Sequence, residues 1–535
     1  MSIHLSDSSV PAQLPSPQEM AALDQNAIQQ GTPGLELMER AGTAMFDTVC
    51  SMCEAQESRL DRVVVLCGPG NNGGDGLVIA QRFKEVRREP VVVLASSERY
   101  SSDCLIQIQK AGWAGVQILL FGGRKAGASG FKFEEVSETA LAKLLSEAGV
   151  VVDALLGTAQ HAAPRGTIAE ILSCLRSATD GVDGRPLLLA ADLPTGINAD
   201  SGELFEPHFR ADFTVSVEFA KRGMLQMPAR EACGEIEIVP IGIEPALAIE
   251  YFLQRADNLP TLAARPPDLH KGQAGRIVII GGCERYPGAA GLAGHAALRA
   301  GAGLVTVAHP AGASYDLIPE IIRLPVGSRT DRNFKATHLK AIVEALKECD
   351  AVVLGPGLGS SKPTHEFVKK LLVELERRQI AAVIDADALN IIAELKGFKG
   401  CKRGIFTPHP GEASRLLGIK TSAVQANRYA AVAKLQKKLR GVVVLKGAAS
   451  LVRDAAIGAV NSSGNPFMAT AGSGDVLSGL LAALLATNLE NFDAARLGVF
   501  LHGRAGDLAS NEGRLPIIAS DVIAAIPQAF GEILQ

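Results

Sequence analysis

Apolar residues in this chain gather into short unbroken runs, separated by helix-length amphipathic stretches. The first half carries RVVVLCG (62–68), PVVVLA (90–95), VQILLF (116–121), GVVVDALL (149–156), PLLLAADL (186–193) and FTVSVEF (213–219). Between most of them lie segments such as AEILSCLRSA. A strand that is apolar at every position is covered on both faces. Such strands alternating with helices predict a parallel sheet with helices on either side. IEIVPIGIEP (236–245) reads as a last strand and an exit, and the polar, proline-bearing stretch after it predicts a linker over residues 246–262. The alternation then restarts with GRIVIIGGC (275–283), LVTVAHP (304–310), AVVLGPGLG (351–359), AAVIDADALN (381–390), GIFTPHPGE (404–412) and GVVVLKGA (441–448). It closes on helical material around MATAGSGDVLSGLLAALLA. The prediction is two α/β domains, 1–245 and 263–535. They share no motif spacing and so read as different modules rather than as a repeat.

Composition narrows this picture. The 535 residues exceed one ordinary core, and 47% hydrophobic content is that of a globular chain. A net charge of −4 gives no basic face for nucleic acid. The nine cysteines are scattered, and the one close pair, Cys50 and Cys53, has no second pair or histidines at ligand spacing to make a zinc site. They read as idle thiols of a reducing compartment. The opening MSIHLSDSSVPAQLPSPQEM lacks the basic start and apolar core of a secretory signal. No apolar run reaches the roughly 18 residues of a membrane span. A cytoplasmic protein with no membrane partner is expected.

The loop GPGNNGGDG (68–76), between a strand and a helix, has more glycine than a turn needs. Glycines let another group approach the backbone, and a helix N-terminus adds free N–H groups and partial positive charge, so the loop predicts a cradle for an anion such as phosphate. Ligands of open parallel sheets bind beyond the carboxyl ends of the strands. At those ends follow Asp153 with the loop GTAQHAAPRG, and Asp192 with Thr195 and Gly196. Either aspartate could instead cap a following helix; all of these loops on one rim favour a site.

The order NNGGDG, VDALLGT, DLPTG resembles the NAD(P)H-hydrate epimerase family over residues of about 20–245. The resemblance implies a Rossmann-like domain that interconverts the R and S epimers of nicotinamide dinucleotides hydrated at C6, NADHX and NADPHX. It assigns Asn71, Asn72, Gly73, Gly74 and Asp75 to the substrate phosphates. It adds Gly157, Thr158, Ala159, Gln160, His161, Ala162 and Ala163 as a substrate loop. It gives a potassium ion to Asn72, Asp153 and Thr195, an oxygen-rich set. Asp192 becomes the residue at the hydrated ring and the candidate acid/base. Where the family usually has GTGL this chain has GTAQ (157–160), and Ala159 lacks glycine's freedom, so a different local contact is expected.

In ATAGSGDVLSG (469–479) small residues let the backbone curl before Asp475, which is expected to begin a helix. That N-terminus offers N–H groups to an anion while the aspartate accepts a proton. The pattern resembles the ribokinase-like superfamily. GPGLG (355–359), DADALN (385–390), TPHPGE (407–412) and LKGA (445–448) are similar to its ADP- or ATP-dependent NAD(P)H-hydrate dehydratase branch, over about 265–530. The resemblance puts the hydrated dinucleotide against Ala289, Gly357, His409 and Asp475. It puts the adenine nucleotide at Lys446, Gly447, Ala448, Ala449, Ser450 and Gly474, with Mg²⁺ on the nucleotide oxygens. Fused two-domain relatives imply ADP rather than ATP as donor, and a homo-oligomer. The small-residue stretch PGAAGLAGHAALRAGAG (287–303) reads mostly as close helix–sheet packing. The rival reading is a ribokinase-like kinase for a vitamin precursor or sugar, fused to a non-catalytic Rossmann-like binding domain; it would leave a stable phosphorylated product.

Overall fold

The computed structural model describes residues 12–55, 60, 62–96, 99–123, 133–244, 248–314 and 317–533. It divides into two compact units, Met1–Tyr251 and Phe252–Gln535.

In the first unit β1 (Val63–Cys67), β2 (Val91–Ala95), β3 (Gln117–Phe121), β4 (Glu134–Val136), β5 (Val150–Ala154), β6 (Leu187–Ala191), β7 (Phe213–Val217) and β8 (Glu235–Val239) form one sheet. Their order is β4-β3-β2-β1-β5-β6-β7-β8, and every pairing is parallel. Strand β1 shows why the sequence builds it so. Val63, Val65 and Cys67 enter one core with Met45 and Phe83, while Val64 and Leu66 enter another with Leu141 and Leu172. Period-two alternation in an all-apolar strand fills both faces. Strand order turns around between β1 and β5, and the crevice beyond their carboxyl ends is where such sheets take ligands. The helix Asn71–Glu85 starts there. Only β4, a short polar edge strand, went unpredicted in this sheet.

The second sheet contains β9 (Tyr251–Gln254), β10 (Arg276–Ile280), β11 (Leu304–Pro310), β12 (Ile322–Val326), β13 (Ala351–Leu354), β14 (Ala381–Ile384), β15 (Gly404–Phe406), β16 (Val442–Leu445), β17 (Leu451–Arg453) and β18 (Gly458–Asn461). The order is β12-β11-β10-β13-β14-β15-β16-β17-β18-β9. Pairings from β12 to β16 are parallel, and β17 and β18 add antiparallel. This sheet has its own turning point between β10 and β13. The helix Ser473–Leu485 is apolar nearly all round because it is buried against the sheet and the helices Gly288–Arg299, Asn491–Ala509 and Ala519–Ile533. The small residues of 287–303 thus pack on a helix as well as on the sheet. Among the described residues no helix is long and apolar enough to cross a membrane.

Three expectations need amending. The 246–262 stretch is not a bare linker: residues 246–247 lie outside the described residues, the division between units falls within it, and it supplies β9, an edge strand of the second sheet. Strand β12 and the β17–β18 hairpin went unpredicted, β12 because most of its residues are exposed or half-buried and the other two because they are only three or four residues long. The run FTVSVEF stops as a strand at Val217, because Glu218 turns to a φ of 58°.

Candidate active sites

The helix Asn71–Glu85 opens with no side-chain cap on its first amides, so they are available to an anion. Gly73 is required: a Cβ there would come 1.9 Å from the Gly68 carbonyl oxygen. Asn72 is buried, and its Nδ2 donates to the Leu156 carbonyl at 3.2 Å. The Leu156 N–H donates in turn to Thr195 Oγ1 at 3.1 Å. Asp153, fully buried, accepts from Leu155 N–H at 3.1 Å, Thr195 N–H at 2.7 Å and Thr195 Oγ1 at 2.8 Å. Asn72, Asp153 and Thr195 therefore meet around Leu155–Leu156, at the turning point of the sheet. Burial pushes the Asp153 carboxyl up to about 6, against the hydrogen bonds that lower it. Asn72 Oδ1 is buried without a hydrogen-bond partner, which is costly unless something electropositive faces it. An orphaned amide oxygen beside a buried carboxylate and a hydroxyl is a donor set for a hard cation.

Neither aspartate on this rim caps a helix. Asp192, at a φ of 66°, accepts from Val217 N–H at 3.1 Å and forms an ion pair with Lys221. In the substrate loop, Gly157 and Thr158 are half-buried, while Ala159, His161, Ala162 and Ala163 are exposed. Gln160, the departure from the family pattern, is buried. It donates to the Gly157 carbonyl at 3.0 Å and accepts from Gly196 N–H at 2.6 Å, stapling this loop to the Thr195 loop. Asp75, on the helix Asn71–Glu85, has its carboxyl held well above the usual range, first by burial and then by the charge of Asp192.

Lys221 and Asp24 were missed. The signal for Lys221 was present: it follows FTVSVEF, whose carboxyl end faces the same rim as the other strands. Asp24, on the helix Pro17–Gln29, had no signal, since only packing brings that helix beside Asp192 and Lys221.

The second site lies beyond β14, β15 and β16. Gly472, at a φ of 86°, is the N-cap, and the helix begins at Ser473, two residues before the expected start at Asp475. No side chain caps it. Lys446 Nζ donates to Asp385 Oδ1 at 2.7 Å and lies 4.0 Å from Glu412. Ser478, one turn beyond Asp475, donates to Asp385 Oδ2 at 2.8 Å. A Cβ on Gly474 would sit 3.3 Å from Lys446 Nζ, so the ammonium lies against the start of the helix. Three carboxylates thus share one ammonium. Asp475 is pushed up to about 7, first by burial and then by Asp385, with Lys446 opposing. Glu412 is likewise raised to about 7 by burial. Burial alone would lower Lys446, but Asp385 and Glu412 hold it above its ordinary value.

His409 caps the helix Pro410–Leu417, its Nδ1 accepting from Gly411 N–H at 3.0 Å, and burial and Lys446 keep it below its ordinary value. Gly357 packs on Ala289, and Gly359 N–H donates to Asp387 at 2.8 Å, joining GPGLG to DADALN. Residues 447–450 form the β16–β17 turn, where Ser450 Oγ donates to the Gly447 carbonyl at 2.9 Å. Asp385, Glu412 and Ser478 are the functional candidates missed here. All three stand inside motifs already singled out.

A family model described as YjeF-related protein N-terminus matches residues 34–223, and one described as NAD(P)H-hydrate dehydratase matches residues 277–528. The bifunctional NAD(P)H-hydrate repair enzyme Nnr of Moorella thermoacetica is 35% identical over 526 residues, covering 95% of each chain. That of Coxiella burnetii is 36% identical over 506 residues, 92% of this chain and 94% of its own. A solved ADP/ATP-dependent NAD(P)H-hydrate dehydratase from Bacillus subtilis, co-crystallized with ATP/Mg2+, is 26% identical with a TM-score of 0.43, covering 51% of this chain and 95% of that one. With both domains matched in order and identity sustained over nearly the whole length of the relatives, the chain belongs to the family of bifunctional NAD(P)H-hydrate repair enzymes.

Proposed function

We propose that the first unit interconverts the R and S epimers of NADHX and NADPHX, and that the second dehydrates the S epimer to the reduced cofactor at the expense of ADP. In the first site the uncapped amides from Asn71 onward receive the phosphates, and Asp192 moves the proton at the C6 hydroxyl. The orphaned Asn72 Oδ1, with Asp153 and Thr195, would hold K⁺. The ion would supply fixed positive charge beside the phosphates. Potassium dependence follows: replacing K⁺ by choline lowers the epimer-exchange rate, and Asn72→Ala lowers it in K⁺ buffer and abolishes the difference between the salts. An Asn72→Ala variant that still responds to K⁺ as wild type does would remove this ligand set.

In the second site the Asp475 carboxylate takes the C6 hydroxyl proton and the oxygen attacks the terminal phosphorus of ADP, releasing AMP. Backbone amides at 472–474 hold the phosphoryl group in transfer. Hydroxide is a poor leaving group and phosphate a good one. The ring nitrogen then expels phosphate from C6, a proton leaves C5, and the dihydronicotinamide is restored. Mg²⁺ takes one or two carboxylates and completes its shell with phosphates and water. Glu412 is the carboxylate that would hold it; the ion would neutralise charge on the nucleotide. The cytoplasmic placement we infer rests on the scattered cysteines of the sequence, which show no paired framework spacing.

The observation that carries this reading is Asp475 raised to about 7 at an uncapped helix start, a base matched to neutral pH. The test is incubation with mixed NADHX epimers, ADP and Mg²⁺. Absorbance of reduced nicotinamide should return for both epimers, with one phosphate and one AMP per cofactor restored. A phosphorylated product that accumulates without that absorbance would sink the dehydratase reading in favour of a small-molecule kinase.

A further inference from the structure

Lys221 is 1% exposed, an unusual place for an ammonium. All three of its donors are used: Nζ reaches Ser216 Oγ at 3.0 Å, the Val217 carbonyl at 3.0 Å and Asp192 Oδ1. The backbone that carries it is pinned. Glu218 Oε2 accepts from Ile241, Gly242 and Ile243 N–H at 2.7, 2.9 and 3.1 Å, which ties this turn to the segment after β8. Asp192 Oδ1 takes Lys221 and Val217 N–H, whereas Oδ2 accepts no hydrogen bond among the described residues.

Two more carboxyls face this ammonium from other elements, Asp24 on the helix Pro17–Gln29 and Asp75 on the helix Asn71–Glu85. Burial pushes Asp24 up to about 6, with Lys221 opposing and Asp192 adding to the rise, and holds Asp75 well above the ordinary range. Among the described residues only Asp192 has the direct ion pair with it.

We propose that Lys221 is a positioning residue for epimerisation: by locking one oxygen of Asp192, it fixes that carboxylate so that its other oxygen faces the C6 hydroxyl. This rests on the reading of Asp192 as the proton-transferring group. The phosphates are held at Asn71–Gly73, away from the lysine's own contacts, so its loss should act on turnover rather than on substrate binding. Without the ammonium, the carboxyls at this rim lose the cation that faces them, and the acid limb of the rate profile moves upward.

The test compares Lys221→Met, Lys221→Gln and Asp192→Asn in the full chain, measuring epimer exchange from pH 5 to 9, with thermal melts of each variant as a check that the first unit is folded. The expected result for both lysine variants is a fall in kcat of about tenfold or more, KM within about threefold of wild type, and an acid limb displaced to higher pH. Lys221→Gln keeps donors for Ser216 and Val217, and so reads the charge alone should the Met variant fold poorly. Asp192→Asn inactive with both lysine variants at wild-type turnover and pH profile overturns the inference and spares the epimerase reading. Lysine variants that lower kcat without moving the acid limb assign Lys221 a packing role and also overturn it. Full exchange by Asp192→Asn overturns the reading itself, and the inference with it.

Discussion

Asp475→Asn is expected to reduce dehydration of the S epimer by about 10³-fold while nucleotide binding and epimer exchange stay near wild type. The amide keeps the size of the side chain but cannot accept the hydroxyl proton. It imitates the protonated acid, which the burial of this position already favours, so no large loss of stability accompanies it. The pH profile gives a second readout. Asp475 must be ionised to act, so kcat/KM of wild type should rise with pH through about 7. Single-turnover rates and titration with nucleotide separate these effects. Wild-type turnover in this variant would remove Asp475 from the chemistry.

Lys446→Met is expected to disable the same step and to destabilise the second unit. The stem is replaced closely, but Asp385, Glu412 and Asp475 lose the cation they share. Removing one partner of a buried ion pair typically costs 3–5 kcal/mol; because part of the lysine reaches solvent, about 2–3 kcal/mol is expected here, a fall in Tm of roughly 5–10 °C. The acid limb of any residual activity should move upward, since Lys446 opposes the rise at Asp475. Stability itself should depend on pH. Asp475 and Glu412 titrate at about 7 in the fold, against ordinary values of 3.8 and 4.5. Between those limits the folded state binds more protons than the unfolded one, so stability falls as pH rises from about 4 to about 7. Thermal melts of wild type and variant across that range check both claims. A Lys446→Met variant as stable and active as wild type would exclude the shared-cation account.

The two sites use one physical arrangement on unrelated frameworks. A single lysine, fully buried in one unit and half-buried in the other, is set among three carboxyls: Asp24, Asp75 and Asp192 around Lys221, Asp385, Glu412 and Asp475 around Lys446. Burial lifts the carboxyls that lack the direct ion pair toward neutrality, whereas the paired one has its ammonium partner. Groups so separated can divide acid and base roles at one pH.

Much of this was legible in the residues. Unbroken apolar runs specify strands covered on both faces, and short loops rich in glycine at their ends mark the ligand edge. Two largely parallel sheets and the rim positions of Asp153, Asp192 and Asp475 follow from such local patterns, because strand period depends on near neighbours; the helices start earlier than their patterns suggest, at Asn71 inside the glycine loop and at Ser473. What local pattern does not contain is which distant residues meet. Lys446 reads in sequence as part of a nucleotide loop, yet its ammonium belongs to Asp385, 61 positions away. Lys221 and Asp192 are 29 apart and joined only because β6 and β7 lie side by side. Gln160 reads as a departure from a motif and proves to be a staple between two loops. Sequence alone thus determined the fold class and which edge of each sheet gathers the candidate residues. Tertiary structure alone decided which charges share a buried space, because strand order and helix packing, not chain distance, determine what each ionisable group feels.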